Sequence, residues 1–208
     1  MDLSICLYPK KVIYHLFWPA QPRTKDPIPL LKVNSIYLDK FIFVMSYNGL
    51  LGSFPREIRF FIATFVVVLS IGYFTGLLFI RETESTTPLG IQENYMGNEA
   101  DLEAEVMKFK KGDREMLNIV HTHILSMSMI FLLLGGLVWI CRAPKKWKVL
   151  LTVEPFLSVI LTFGGIYLMW LGVSWFKYIV MISGLLMTMA FVSGACLVFW
   201  QCVKAPRQ

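Results

Sequence analysis

Residues 58–80 read IRFFIATFVVVLSIGYFTGLLFI, and this stretch decides the fold class. A helix needs about 20 mostly apolar residues to cross the hydrocarbon of a bilayer. Here the one charge, Arg59, stands at the edge of the run. Three more stretches of the same kind follow, at about 117–141, 149–171 and 176–202. The last three are joined by the short connections RAPKKWK and GVSWFK, which leave no room for a soluble domain between them. The runs are continuous, without the short alternating segments of a β-barrel, and helices satisfy their own backbone groups where lipid cannot. The expectation is an all-α integral-membrane four-helix bundle.

Composition agrees. Of 208 residues 56% are hydrophobic and 16% charged, with a mean hydropathy of +0.59. A soluble chain carries about 25% charged residues, so there are too few here to cover a soluble surface. The net charge of +6 would suit nucleic acid, but the bases stand beside the apolar runs, where membrane orientation requires them. Nucleic acid is therefore not an expected partner; the lipid bilayer is. Cys6, Cys141, Cys196 and Cys202 show neither a CxxC pair nor metal-ligand spacing. No nucleophile–base constellation, phosphate loop or zinc-protease motif is present, so an enzyme activity of the chain's own is not expected.

Lysine and arginine near the span ends set orientation. Arg56 and Arg59 precede the first span, Arg142, Lys145, Lys146 and Lys148 separate the second and third, and Lys204 and Arg207 follow the fourth. The loop at 81–116 carries nine acids against five bases, and the loop after the third span has only Lys177. All five segments predict cytoplasmic N- and C-termini (N-in/C-in) with the acidic loop outside; the expected location is a bacterial inner membrane. Residues 1–44 are rich in proline and lack periodicity, and read as an irregular tail. Met45 opens MSYNGLLGSFPREIRFF, a natural short tail before a signal-anchor helix. It is the expected start of the working unit, 45–208, and the upstream part an over-extended reading frame. An intact mass near 23.9 kDa would rule that out.

Within the loop, Pro88, Gly90 and Gly97 predict an irregular first part. Asn98 can then cap an amphipathic helix whose first turns are acidic (Glu99, Asp101, Glu103, Glu105) and whose last is basic (Lys108, Lys110, Lys111). Leu102, Val106 and Phe109 would form its apolar face, and Gly112 would end it. Such a loop is either a solvated connector or a docking surface for a periplasmic or membrane partner.

Ionisable groups inside a membrane are costly and mark candidate sites. His121 and His123 form His-Thr-His near the outer end of the second span, and Glu154 lies toward the inner end of the third. Antiparallel spans put them roughly 15–25 Å apart in depth, so they are not one site. Two histidines two residues apart point about 200° apart on a helix, so one of them can face a cofactor. Imidazole suits haem iron or proton transfer. Met127, one turn after His123, would add a thioether suited to copper. With three histidines in the chain, a bis-His dihaem centre is excluded; a five-coordinate, His/Met or dimer-shared haem remains. Glu154, Ser158, Thr162 and Gly165 form a small polar stripe that should face other helices, with Glu154 as a proton carrier or the partner of Lys145, Lys146 or Lys148. Gly72 and Gly76 give a GxxxG on the first span.

The stretch HTHILSMSMIFLLLGG, residues 121–136, resembles a helix opening found in small four-span proteins related to haem–copper oxidase subunit I and in the nitric-oxide-response NnrS family. The resemblance covers about one helix. It implies haem b or copper, with His121 and His123 at the matching positions. The leading expectation is a small membrane subunit of a haem- or metal-containing respiratory system, with other membrane subunits or a second copy as partners. The alternative is a non-catalytic subunit or assembly factor that docks a partner through residues 81–116.

Overall fold

The structure is a computed structural model that describes residues 47–99 and 106–204; the tail at 1–44 and the Met45 start lie outside the described residues. Four long apolar helices run as α1 (Arg56–Glu82), α3 (Asp113–Ile140), α4 (Lys145–Trp170) and α5 (Phe176–Lys204). A short helix, α2 (Pro88–Met96), lies in the loop, and there is no strand among the described residues. The chain is an all-α membrane bundle with four spans. The helices begin and end within a few residues of the hydropathy runs. At the start of α3 and α4 they are longer, because Asp113 to Glu115 and Lys145 to Lys148 continue the helix beyond the hydrocarbon. Hydropathy marks the apolar stretch, whereas helix ends follow caps and breakers. Pro55 and Pro144 stand just before α1 and α4, where proline's fixed φ and missing N–H cost nothing.

In lipid, helices associate through close packing and hydrogen bonds, since the surrounding tails are as apolar as leucine. The bundle shows that pattern. Helix α5 packs against α1, α3 and α4, while α1 leans on α5. Fully buried Phe191 of α5 stacks on Tyr73 of α1, ring centres 3.9 Å apart, and meets Phe131 of α3 edge-on at 6.3 Å. Small residues allow the other close approaches. Gly135 on α3 faces Thr152 on α4, Gly165 on α4 faces Val180 on α5, and Gly194 on α5 faces Leu134 and Val138 on α3. A Cβ at Gly72 or Gly76, by contrast, would meet nothing within 4 Å among the described residues; that GxxxG lies on the open side of α1, among exposed residues.

Two sets of bonds close the ends. At the basic end, Asn48 Oδ1 accepts from the Ala143 N–H (3.2 Å) and from Lys148 Nζ (2.9 Å). Lys148, only 3% exposed, also donates to the Trp139 carbonyl at 2.7 Å, in the last turn of α3 where a cation is favoured. Gln201 clasps the backbone of Arg142, accepting at 2.7 Å and donating at 2.9 Å. The described ends of α1 and α5 therefore lie on one side of the bundle. At the loop end, the Trp170 indole donates to the Lys111 carbonyl at 2.9 Å, and Lys177 Nζ to Gln92 Oε1 at 2.9 Å.

The loop helix stands elsewhere than expected. Residues 88–96, expected to be irregular, form α2; Thr87 Oγ1 accepts from the Gly90 N–H at 3.0 Å, Pro88 opens the helix, and Gly97 ends it at φ 79°. The expected helix from Asn98 to Gly112 is not formed at Asn98 and Glu99 or at 106–112, and 100–105 lie outside the described residues. Asn98 instead clamps the returning chain, donating to the Val106 carbonyl at 2.9 Å and accepting from the Lys108 N–H at 2.6 Å. Its side chain competes for backbone groups, as asparagine does, and holds a turn rather than starting a helix.

Candidate functional site

His123 projects from α3 toward α4. Its Nδ1 lies 2.7 Å from the Ile119 carbonyl, one turn back, and its ring stacks on buried Phe163 with centres 4.8 Å apart. The carbonyl can only accept, so Nδ1 carries the proton in this contact and Nε2 is the free acceptor. One nitrogen is fixed by a backbone oxygen while the other is open, the arrangement that orients a ligating imidazole. The residue as a whole is exposed on the outer surface of the bundle. His121 is also exposed, on a different face of α3. Met127 follows His123 one turn on, partly buried against the core.

These positions restrict what could be bound. No group of three or more His, Cys, Asp or Glu could hold a metal among the described residues. A porphyrin brings its own four nitrogens and asks the protein for one or two axial ligands, so a single imidazole fits it. His123 and Met127 are successive-turn neighbours about 5–6 Å apart on one helix face. Neighbours on one face cannot sit on opposite faces of one porphyrin, but they can approach one copper ion from the same side.

Glu154 lies on α4, nine residues from Phe163, which is about 13 Å along the helix. The structure does not bring it to the histidines. Nor does it form the ion pair considered above. Its Oε1 accepts from the Ser158 hydroxyl, and its buried Oε2 has no hydrogen-bond partner among the described residues. The two ion pairs among the described residues, Lys108–Glu84 and Lys111–Glu115, both belong to the loop. Lys148 is turned away onto Asn48 and Trp139, because α4 carries it toward the end of α3.

The stripe expected on α4 does face its neighbours. Ser158 and Thr162 are buried, and Thr162 pairs with Ser183 of α5, oxygen to oxygen 2.7 Å. Tyr73 pairs with Thr188 of α5 at 3.2 Å and lies within reach of the charge of Glu154. Pro155 leaves the Leu151 carbonyl without its usual helical donor. One turn later, residues Ile160–Gly164 widen into a π-helical segment, a feature frequent at functional sites. Sequence reasoning missed Ser183, Thr188, Tyr73 and the π segment. Their meaning comes from pairing across helices, and no local signal carries it.

The loop is built onto the bundle. Lys110 Nζ stands 4.9 Å from the centre of the Trp170 ring, and burial pushes the Tyr95 hydroxyl above its ordinary pKa. Lys108 bonds Glu84 at 2.8 Å and holds that carboxyl below the usual range. Val106 and Phe109 remain 59% and 72% exposed.

No curated protein and no solved structure matches the chain. A family model does, over residues 85–208, which take in the loop with α2 and the last three spans and leave α1 outside. That match covers more than half of the sequence, and the chain belongs to the Aq_1264_TM family, a transmembrane helical domain.

Proposed function

We propose that the protein is a small membrane subunit associated with a haem-containing electron-transfer system, and that His123 is its axial ligand. The observation that carries the reading is the fixed Nδ1 of His123, held by the Ile119 carbonyl, with Nε2 left open beside Phe163. When bound, haem supplies one-electron chemistry; this chain supplies a ligand and an apolar wall. An exposed imidazole on the outside of the bundle suits a haem seated against a neighbouring subunit or a second copy, which would complete its enclosure.

His121 and His123 separate the reading from its rivals. His123→Ala abolishes the reduced-minus-oxidised Soret band of the detergent-purified protein, and His121→Ala retains it. Equal retention in both variants refutes His123 as the ligand. A copper site at His123 and Met127 would instead show copper by elemental analysis, lost in Met127→Leu, with no Soret band.

A second reading is a subunit that docks a partner through residues 81–116, favoured by the apolar Val106 and Phe109 on a loop pinned to the bundle. Phe109→Ser would then weaken co-purification of the partner without altering the spectrum of bound haem. Unchanged co-purification would refute it.

A further inference from the structure

Glu154 stands on α4 five residues past Val149, where the apolar stretch begins, about 8 Å into that stretch. Its two oxygens differ: Oε1 accepts from Ser158, and Oε2 is enclosed with no hydrogen-bond partner among the described residues. No cation neutralises it among the described ion pairs, and Lys148, the nearest buried base on the same helix, is held by Asn48 and Trp139. The charge of Glu154 also acts on Tyr73 of α1, whose hydroxyl is bonded to Thr188. On α3 the histidines lie a dozen ångströms farther along, and on α5 Cys196 is exposed. Glu154 as a whole is half-buried, but its enclosed Oε2 would carry charge with no countercharge beside it, a costly arrangement within a bilayer.

A proton removes that cost. We propose that Glu154 is a proton-binding site within the bundle, with the proton carried on Oε2 and exchangeable with water. The oxygen that lacks a partner becomes a donor, and in the same turn Pro155 cannot donate to the Leu151 carbonyl as a helical residue normally would. Binding forms one O–H bond on Oε2, the proton coming from hydronium, which leaves water; release is the reverse, and no electron moves. On α4 the buried hydroxyls of Thr152, on the basic-end side, and of Ser158 and Thr162, beyond it, form a polar row that Ser183 of α5 joins at Thr162. This site stands apart from His123 and does not rest on the haem reading.

Infrared spectroscopy of the full chain in nanodiscs tests it. The expected spectrum contains the carbonyl stretch of a protonated carboxylic acid at neutral pH. The band shifts in D2O and is missing in Glu154→Gln. If that variant does not fold, Glu154→Asp serves instead: it should move the band without removing it. Absence of the band in the wild-type protein overturns the proposal, as does a band that fails to shift in D2O or that survives unchanged in both variants.

Discussion

Asn48→Ala should loosen the whole basic end of the bundle. Asn48 Oδ1 is shared by the Lys148 ammonium at 2.9 Å and the Ala143 N–H at 3.2 Å. A hydrogen bond to a charged group contributes about 1.5–3 kcal/mol and a neutral one about 0.5–1.5 kcal/mol. Asn48 itself is exposed, so water replaces part of what is lost, and Lys148 keeps the Trp139 carbonyl. The expected destabilisation is therefore about 1–3 kcal/mol, below the plain sum. Reversible unfolding in mixed micelles, followed by tryptophan fluorescence, measures it. Asn48→Asp retains the acceptor and adds a countercharge, and should match or exceed the wild type. A loss within about 0.5 kcal/mol, the range of an ordinary surface substitution, would refute the clamp, as would equal losses in the Ala and Asp variants.

Three more outcomes follow from the loop. Gly97→Ala places a Cβ 2.7 Å from the Lys110 nitrogen at φ 79°; a strained site of this kind costs about 1–3 kcal/mol. Hydrogen exchange at 106–111 should accelerate in that variant, and unchanged exchange would contradict the packing. Trp170→Phe keeps a ring but loses the donor to Lys111, so limited proteolysis should cut the loop faster while the four spans remain intact. The Glu84–Lys108 link depends on pH in one direction. The folded carboxyl is held below its ordinary value, so the link is present above the usual carboxylate range and is lost as pH falls through the lowered value. Added salt should weaken it too, because Glu84 is exposed; loop exchange that ignores both acid and salt would count against it.

The spans were legible because lipid imposes one strong rule, about 20 apolar residues per crossing, and residues 58–80 obey it plainly. The face of α4 was legible as well, since Glu154, Ser158 and Thr162 recur at helical spacing. The loop was misread because Pro88 was treated as a breaker, although it occupies the first helical position where proline is welcome. Thr87, Pro88 and Gly97 together are a start and stop signal that the sequence did contain. Asn98 suits a helix cap and a turn clamp equally well, and only the returning strand of chain at 106–108 decides between them. The site could be read only in part. His-Thr-His named two candidates, but the choice of His123 needed the position of Phe163 on another helix. The fate of Lys148 likewise needed Asn48, a hundred residues away.

The reduced-minus-oxidised spectrum of the purified wild-type chain, with iron and copper quantified on the same sample, tests the central claim most directly. Haem ligation by His123 predicts a Soret band and no more than one haem per chain, since His121 and His123 face apart. A sample with no Soret band and neither iron nor copper would contradict it.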